Sequence, residues 1–448
     1  LFCNTCAEGN IGIGHCALRN NTSGTRNVAV GFLALRDNIT GVNNVGIGYL
    51  ALLCNTASNN TAIGFCALRS NTTGAQNTAV GYLALRSNTT GNYNSSLGYA
   101  SLPANTTGLA NTAFGRLSLW KNTTANHNTA LGNYTLGSNT TGCFNTAVGS
   151  AALGLNVVGS NNTAVGYTAL LCNTASNNTA VGFCALRSNT TGTQNIAIGF
   201  LASQSNIGGQ RNTVVGNCAM QYGAGGNSTV AIGYRSLRAN ASNNNIGVGA
   251  YTLQANTTGY SNIGMGWAAL IANTTGKFNV AVGDSALRTN GVGQNNVGIG
   301  HLALYSNTAS NNTAIGFCAL RSNTTGAYNV VLGSNALRNN TTGAGNIAVG
   351  FASLGSNTTG TRNVAVGYYS SRANTVGTNN TSVGWGSMCC NTASNNTGIG
   401  TYALRSNTTG AYNTSLGRSA LRLNTTGQYN TAVGDLTLDK NSTGVNNT

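Results

Sequence analysis

Acidic residues are nearly missing from this chain: Asp and Glu together number 5 among 448 residues, against 21 Lys and Arg, for a formal net charge of +16. Charged residues make up only 6%, where roughly a quarter is usual for a globular domain. With one Pro and 62 Gly spread evenly, neither a Pro-rich linker nor collagen is possible. No apolar run is long enough to cross a membrane, and the amino terminus has no basic-then-apolar signal pattern. The 12 Cys lack paired CxxC spacing apart from a lone Cys3-Asn4-Thr5-Cys6, so no structural zinc and no other cofactor is implied.

What is present is a repeat. Taking Asn77-Thr78-Ala79-Val80-Gly81 as template and Gly81 as anchor, 26 equivalent anchors run from Gly14 to Gly434, in 25 steps averaging 16.8 residues. Twenty steps are 17 residues long and five are 16, the short ones ending at Gly64, Gly182, Gly249, Gly316 and Gly400. The residue before the anchor is always apolar, as in Ile63, Val80 and Val433, and is expected to face a core. Four residues after the anchor stands Leu in 22 of 26 coils, a second core column. The residue two before the anchor is small in all but two coils.

Asn occupies the position seven after the anchor, and the position four before it, in 25 of 26 coils each. A helical repeat needs neither column. In stacked strands the same column recurs every 4.7–4.9 Å or so, and side-chain amides can then hydrogen-bond along a ladder. Asn also tolerates left-handed corners, and Asn-Thr-Thr-Gly segments such as 88–91 read as turns closed by Gly. The period is too short for a helical pair, so the expected fold is all-β: a single-chain parallel β-solenoid of about 26 coils over residues 1–448, continuous and uncapped at both ends. At about 4.8 Å per coil it would be a rod on the order of 125 Å long. Bare ends suggest a segment of a longer protein or a subunit of an end-to-end fibre.

Asn-Thr-Ala-Val-Gly with Ala-Leu behind it resembles, over essentially the whole chain, the YadA-type head repeats of trimeric autotransporter adhesins and related tail-fibre proteins. The resemblance implies a left-handed β-roll, trimeric association and binding to host surfaces. Here the coil is longer than the commonest head repeat, Cys is frequent, and no coiled-coil stalk or membrane anchor is recognisable.

Catalysis finds no constellation. The acids are Glu8, Asp37, Asp284, Asp435 and Asp439, the histidines His15, His127 and His301, and no acid-base or nucleophile set forms from them. Of 18 Arg, 12 share the column after the core Leu: Arg19, Arg36, Arg69, Arg86, Arg187, Arg238, Arg288, Arg321, Arg338, Arg372, Arg405 and Arg422. Such a stripe could hold an anionic polysaccharide or other glycan, or simply solvate an edge and prevent aggregation; nucleic acid is the lesser candidate. Aromatics follow the anchor in 14 of 26 coils, including Tyr49, Phe65, Tyr82, Phe183, Trp267 and Trp385, a ladder expected to pack in the core or against another subunit, with sugar stacking as the alternative.

Glycosylation sequons begin at the turn Asn in 17 coils: Asn21, Asn38, Asn71, Asn88, Asn105, Asn122, Asn139, Asn189, Asn240, Asn256, Asn273, Asn323, Asn340, Asn357, Asn407, Asn424 and Asn441. Seven more fall later in the same loop, at Asn59, Asn161, Asn177, Asn227, Asn311, Asn379 and Asn395. Either these Asn point outward and carry sugar, or an Asn/Thr-rich repeat generates sequons by composition. Cys3 and Cys16, Cys54 and Cys66, and Cys172 and Cys184 each join the same two columns in successive coils; disulfides and buried free thiols are the two alternatives. The sequence thus points to a non-enzymatic, self-associating structural fibre, extracellular or on a cell or virion surface. An adhesin or tail-fibre shaft is the alternative, and ice binding through Thr columns such as Thr61 and Thr78 a weaker third.

Overall fold

A computed structural model describes residues 7–448, grouped into two compact units, 7–227 and 228–448, built in the same way. The first unit contains strands β1 (Ile11–Ile13) to β13 (Thr213–Val215), and the second β14 (Val230–Ile232) to β26 (Thr431–Val433). Each strand is three residues long, and within each unit successive strands pair in parallel, Thr78 opposite Ser95 and Val80 opposite Leu97, for example. The fold is a parallel β-solenoid with one strand per coil, and no helix occurs among the described residues.

The coil that begins at Thr78 shows why the sequence closes on itself. After the strand, Gly81 adopts φ +134, and a Cβ there would meet the Gly98 carbonyl oxygen at 2.4 Å. Only glycine allows the coils to stack this closely. The chain then turns through two left-handed residues, Leu83 (φ 56) and Leu85 (φ 50), and through a third at Tyr93 (φ 60). Left-handed backbone costs a bulky residue roughly 1–2 kcal/mol. Here it is offset by hydrogen bonds between coils: the Leu83 N–H donates to the Phe65 oxygen at 2.9 Å and the Leu85 N–H to the Ser101 oxygen at 3.0 Å. The left-handed corners fall mainly on Leu and, at the third corner, often on Asn, as at Asn43, Asn59 and Asn161, or on an aromatic residue, whereas the two Asn columns themselves have ordinary backbone and serve another purpose.

That purpose is the interior ladder. The Asn88 Nδ2 donates to the Asn71 Oδ1 at 2.7 Å and to the Gly91 oxygen at 2.9 Å, while its Oδ1 accepts from the Asn105 Nδ2 at 2.8 Å. In the second column, the Asn77 Nδ2 donates to the Gly91 oxygen at 2.9 Å and its Oδ1 accepts the Asn94 N–H at 2.9 Å. Both Asn are completely buried. Every amide atom of Asn77 and Asn88 is used, and pairing of this kind is what makes so polar an interior tolerable. The 16-residue coils strain the first ladder: Asn55 reaches the Asn38 Oδ1 only at 3.4 Å, and the Oδ1 atoms of Asn156 and Asn374, facing short coils, have no donor.

The apolar core is thinner than the sequence suggests. Core Leu residues such as Leu68, Leu85 and Leu102 are fully buried, as expected, but the strand turns inward its middle, small residue: Ala79 and Ala113 are inaccessible, whereas Ile47, Ile63 and Leu97 before the anchor are 37%, 38% and 47% exposed. The column before the anchor therefore faces solvent, contrary to the sequence expectation. In a three-residue strand, the two ends point away from the side of the middle residue. Leu35 packs so tightly over the strand that a Cβ at Gly46 would lie 3.2 Å from its Cγ, leaving room on the inside only for Ala, Gly, Ser or, rarely, Val.

Candidate functional surfaces

Each unit has two surfaces of chemical interest. On the first, the outer strand positions and the residue after the anchor form parallel rows. His15, Phe32, Tyr49, Phe65, Tyr82 and Tyr99 stack ring on ring, with successive centroids 5.1–5.3 Å apart and near-parallel planes. These rings are exposed, as are Phe183 and Phe200 further along the first unit and Trp267 and Trp385 in the second. The ladder is thus not in the core, and its stacking follows from ring-bearing residues repeating in one column at the strand spacing. Thr61 and Thr78 lie on the same outer face, the former half-buried and the latter exposed.

The histidines belong to such stacks. His15 lies on Phe32, His127 on Phe144 at 5.0 Å and His301 on Phe317 at 5.5 Å. The acids mostly pair with arginine: Asp37 with Arg36 at 2.6 Å, Asp435 with Arg418 at 2.7 Å and Asp439 with Arg422 at 2.8 Å. The guanidinium hydrogen bond from Arg36 holds the Asp37 carboxyl below the usual carboxylate range, and the one from Arg422 does the same for Asp439. Among the described residues no three His, Cys, Asp or Glu come together to hold a metal ion.

The second surface follows the Arg column. Several of its guanidiniums lie on rings: Arg288 is 5.6 Å from both Trp267 and Tyr305 and donates to the Tyr305 hydroxyl at 3.0 Å, Arg372 is 4.5 Å from Tyr369 and Arg405 4.6 Å from Tyr402. At two places where a coil has Ala two positions after its anchor and no long side chain five positions after it, the column opens into a notch. One, of about 610 Å³, lies over Ala100 and Pro103, flanked by Arg86, Trp120 and Lys121. Another, of about 240 Å³, lies over Ala352 and Gly355, flanked by Arg338, Tyr369 and Arg372. Sequence reasoning missed both, although a break in the Arg column at a small residue was the available signal.

The sequons divide by position. Sixteen of the 17 turn-column Asn, from Asn21 to Asn424, are completely buried and Asn441 at the end is half-buried. The nitrogen to which a glycan would be joined is already donating within the ladder, as at Asn71, Asn88 and Asn407. For this set the compositional explanation replaces the outward one, because a substituted Nδ2 would lose at least one of its two hydrogen bonds and force sugar between coils. The later-loop set lies at the surface: Asn59, Asn161, Asn177 and Asn379 are exposed, and Asn227, Asn311 and Asn395 half-buried.

Cys16, Cys54, Cys66, Cys172 and Cys184 carry free thiols, so the pairings Cys54–Cys66 and Cys172–Cys184 are not formed, and Cys3–Cys16 involves a residue outside those described. Burial raises the Cys54 and Cys66 thiols above their ordinary range and keeps them protonated. Cys66 and Cys184 are buried and act as small apolar fillers, whereas Cys16, Cys54 and Cys172 are half-buried. No helix among the described residues is long and apolar enough to cross a membrane. Comparison with protein-family models and with curated protein sequences finds no match to this chain.

Proposed function

We propose that this chain is a structural fibre protein whose exposed sheet face associates sideways with a second copy. The observation that carries this reading is the apolar outer face itself: residues such as Ile47, Ile63, Leu97, Phe114 and Ile198 are exposed in register beside the aromatic stack. Contiguous apolar surface on this scale marks an interaction site. Thirteen strands at about 4.8 Å, with outward positions spanning about 13 Å and including the polar row of Thr61 and Thr78, present about 800 Å² in all in the first unit, the area per partner of a standard stable interface. A second copy is the partner whose side chains repeat at the same spacing, so each row of one face can lie in the grooves of the other. Non-catalytic, extracellular assembly fits a chain with few charges and a scaffold formed of identical coils, and N-linked sugar, where a secretory pathway supplies it, fits the surface Asn such as Asn59 and Asn177.

Sedimentation and negative-stain imaging of the purified chain test the reading. Fibrous or laterally paired particles are expected at micromolar concentration, and Ile63→Lys with Leu97→Lys should separate them while leaving the circular dichroism of the β-fold unchanged. A wild-type chain that remains strictly monomeric, or a double variant that associates as before, overturns it.

A further inference from the structure

We propose that the notches in the arginine column are binding sites for acidic sugar residues, a role independent of sideways association through the sheet face. The Gly355 notch carries this furthest. Its floor is Ala352 and Gly355, and Arg338 and Arg372, two coils apart, bring two exposed cations to its rims at a separation of about 10 Å. Neither guanidinium forms an ion pair, the three ion pairs among the described residues being elsewhere. Tyr369 contributes a ring that already lies against the Arg372 guanidinium at 4.5 Å, and Asn335 and Asn339 add amide donors and acceptors. Two unpaired cations, one aromatic wall and side-chain amides in a cavity of about 240 Å³ complement a pyranose that carries a sulfate or carboxylate: the ring face lies on the aromatic, the anion on guanidinium, the hydroxyls on amide. The Pro103 notch in the other unit brings together the same kinds of group in different columns, with Arg86 and Lys121 as cations and Trp120 as the wall.

A third break in the column shows that an open notch is not the automatic result of small residues. At Gly137 and Gly154 the ring of Tyr134 fills the equivalent space, lying 2.7 Å from where a Gly137 Cβ would be and 3.4 Å from where a Gly154 Cβ would be. Tyr134 sits two residues after its anchor, in the left-handed conformation that Ala352 also adopts (φ 53 and 51). The chain therefore supplies its own plug, and Ala352→Tyr transplants it without removing a charge.

The test is equilibrium binding of a fluorescent sulfated tetrasaccharide to the full chain at about 0.1 M salt, alongside its desulfated counterpart and inorganic sulfate alone. The expected result is saturable binding of the sulfated sugar, at least tenfold weaker binding of the desulfated one, and no competition by sulfate at equal concentration. The Pro103 notch is plugged in the background by Ala100→Tyr, so that one notch is read at a time. In that background Ala352→Tyr, and separately Arg338→Gln with Arg372→Gln, should each weaken binding at least tenfold, while Arg405→Gln, outside any notch, leaves it unchanged. Equal losses from Arg405→Gln and Arg338→Gln, or full binding by Ala352→Tyr with its fold intact by circular dichroism, would assign the effect to diffuse charge and overturn the proposal, as would the absence of binding by the wild type. None of these outcomes changes the sedimentation result, so the two readings fail separately.

Discussion

Replacing Asn88 with Asp changes one atom's chemistry at the centre of the first ladder. The native Nδ2 donates to the Asn71 Oδ1 and the Gly91 oxygen, at 2.7 and 2.9 Å. A carboxylate can make neither bond and turns an acceptor toward two acceptors, only its bond from the Asn105 Nδ2 surviving. The Asn71 Oδ1 is left unpaired at a cost of about 1–3 kcal/mol, and the bond lost to the Gly91 oxygen, which still accepts from the Asn77 Nδ2, adds about 0.5–1.5 kcal/mol before the buried charge is counted. In a stack of coils the loss is felt locally, and the readout is native-state hydrogen exchange in the neighbouring coils. The Leu85 N–H, bonded to the Ser101 oxygen, and the Thr78 N–H, bonded to the Asn94 oxygen, should lose roughly 30-fold or more of their protection, at about tenfold per 1.4 kcal/mol. Asn59→Asp, at an exposed loop position, should change little. The penalty also has a pH sign. Burial raises the introduced carboxyl above its unfolded value, so its protonated form, which can donate once, is favoured as pH falls, and the variant should recover part of its protection toward pH 4. Equal exchange in Asn88→Asp and Asn59→Asp, or protection that falls further on acidification relative to wild type, would refute the ladder as a source of stability.

Leu85→Asp should cost well above 3 kcal/mol, from lost burial plus a desolvated charge, whereas Arg86→Asp next to it, on the exposed side, should stay within about 1 kcal/mol; thermal unfolding distinguishes them. Gly81→Ala, whose Cβ would lie 2.4 Å from a backbone oxygen, should prevent the coils on either side from stacking, while Gly345→Ala, equally left-handed at φ +67 but with its nearest neighbour at 3.8 Å, should cost only about 1 kcal/mol; amide exchange around each site checks the contrast. Because Asp37 is held below its unfolded value by Arg36, its contribution is present above the ordinary carboxylate range and lost as pH falls through the depressed value. With side chains about one-third exposed it is at most about 1 kcal/mol, and the melting temperatures of wild type and Asp37→Asn should converge at low pH.

Much of this protein is determined by the sequence alone. A period of 16 or 17 residues, a Gly at every anchor, Leu85 and its equivalents, and two columns of Asn admit one kind of solution, because only stacked strands bring the same column into contact at the spacing an amide ladder requires. What the sequence leaves open is direction. Thr78-Ala79-Val80 alternates equally well with Val or Ala inward, and the choice rests on how closely Leu packs over the strand, as Leu35 does at Gly46, a contact that forms only once the coil has closed. The turn Asn bears a sequon in the sequence but reveals its burial only when the preceding coil's Asn is seen accepting its proton. The aromatic row declares its spacing but not its exposure. The notches at Pro103 and Gly355 likewise appear only when three coils are placed side by side, because the small residue, its flanking cations and the presence or absence of a plugging ring lie on different turns of the chain. Local pattern sets which residues align, and tertiary packing decides which side of each column is wet.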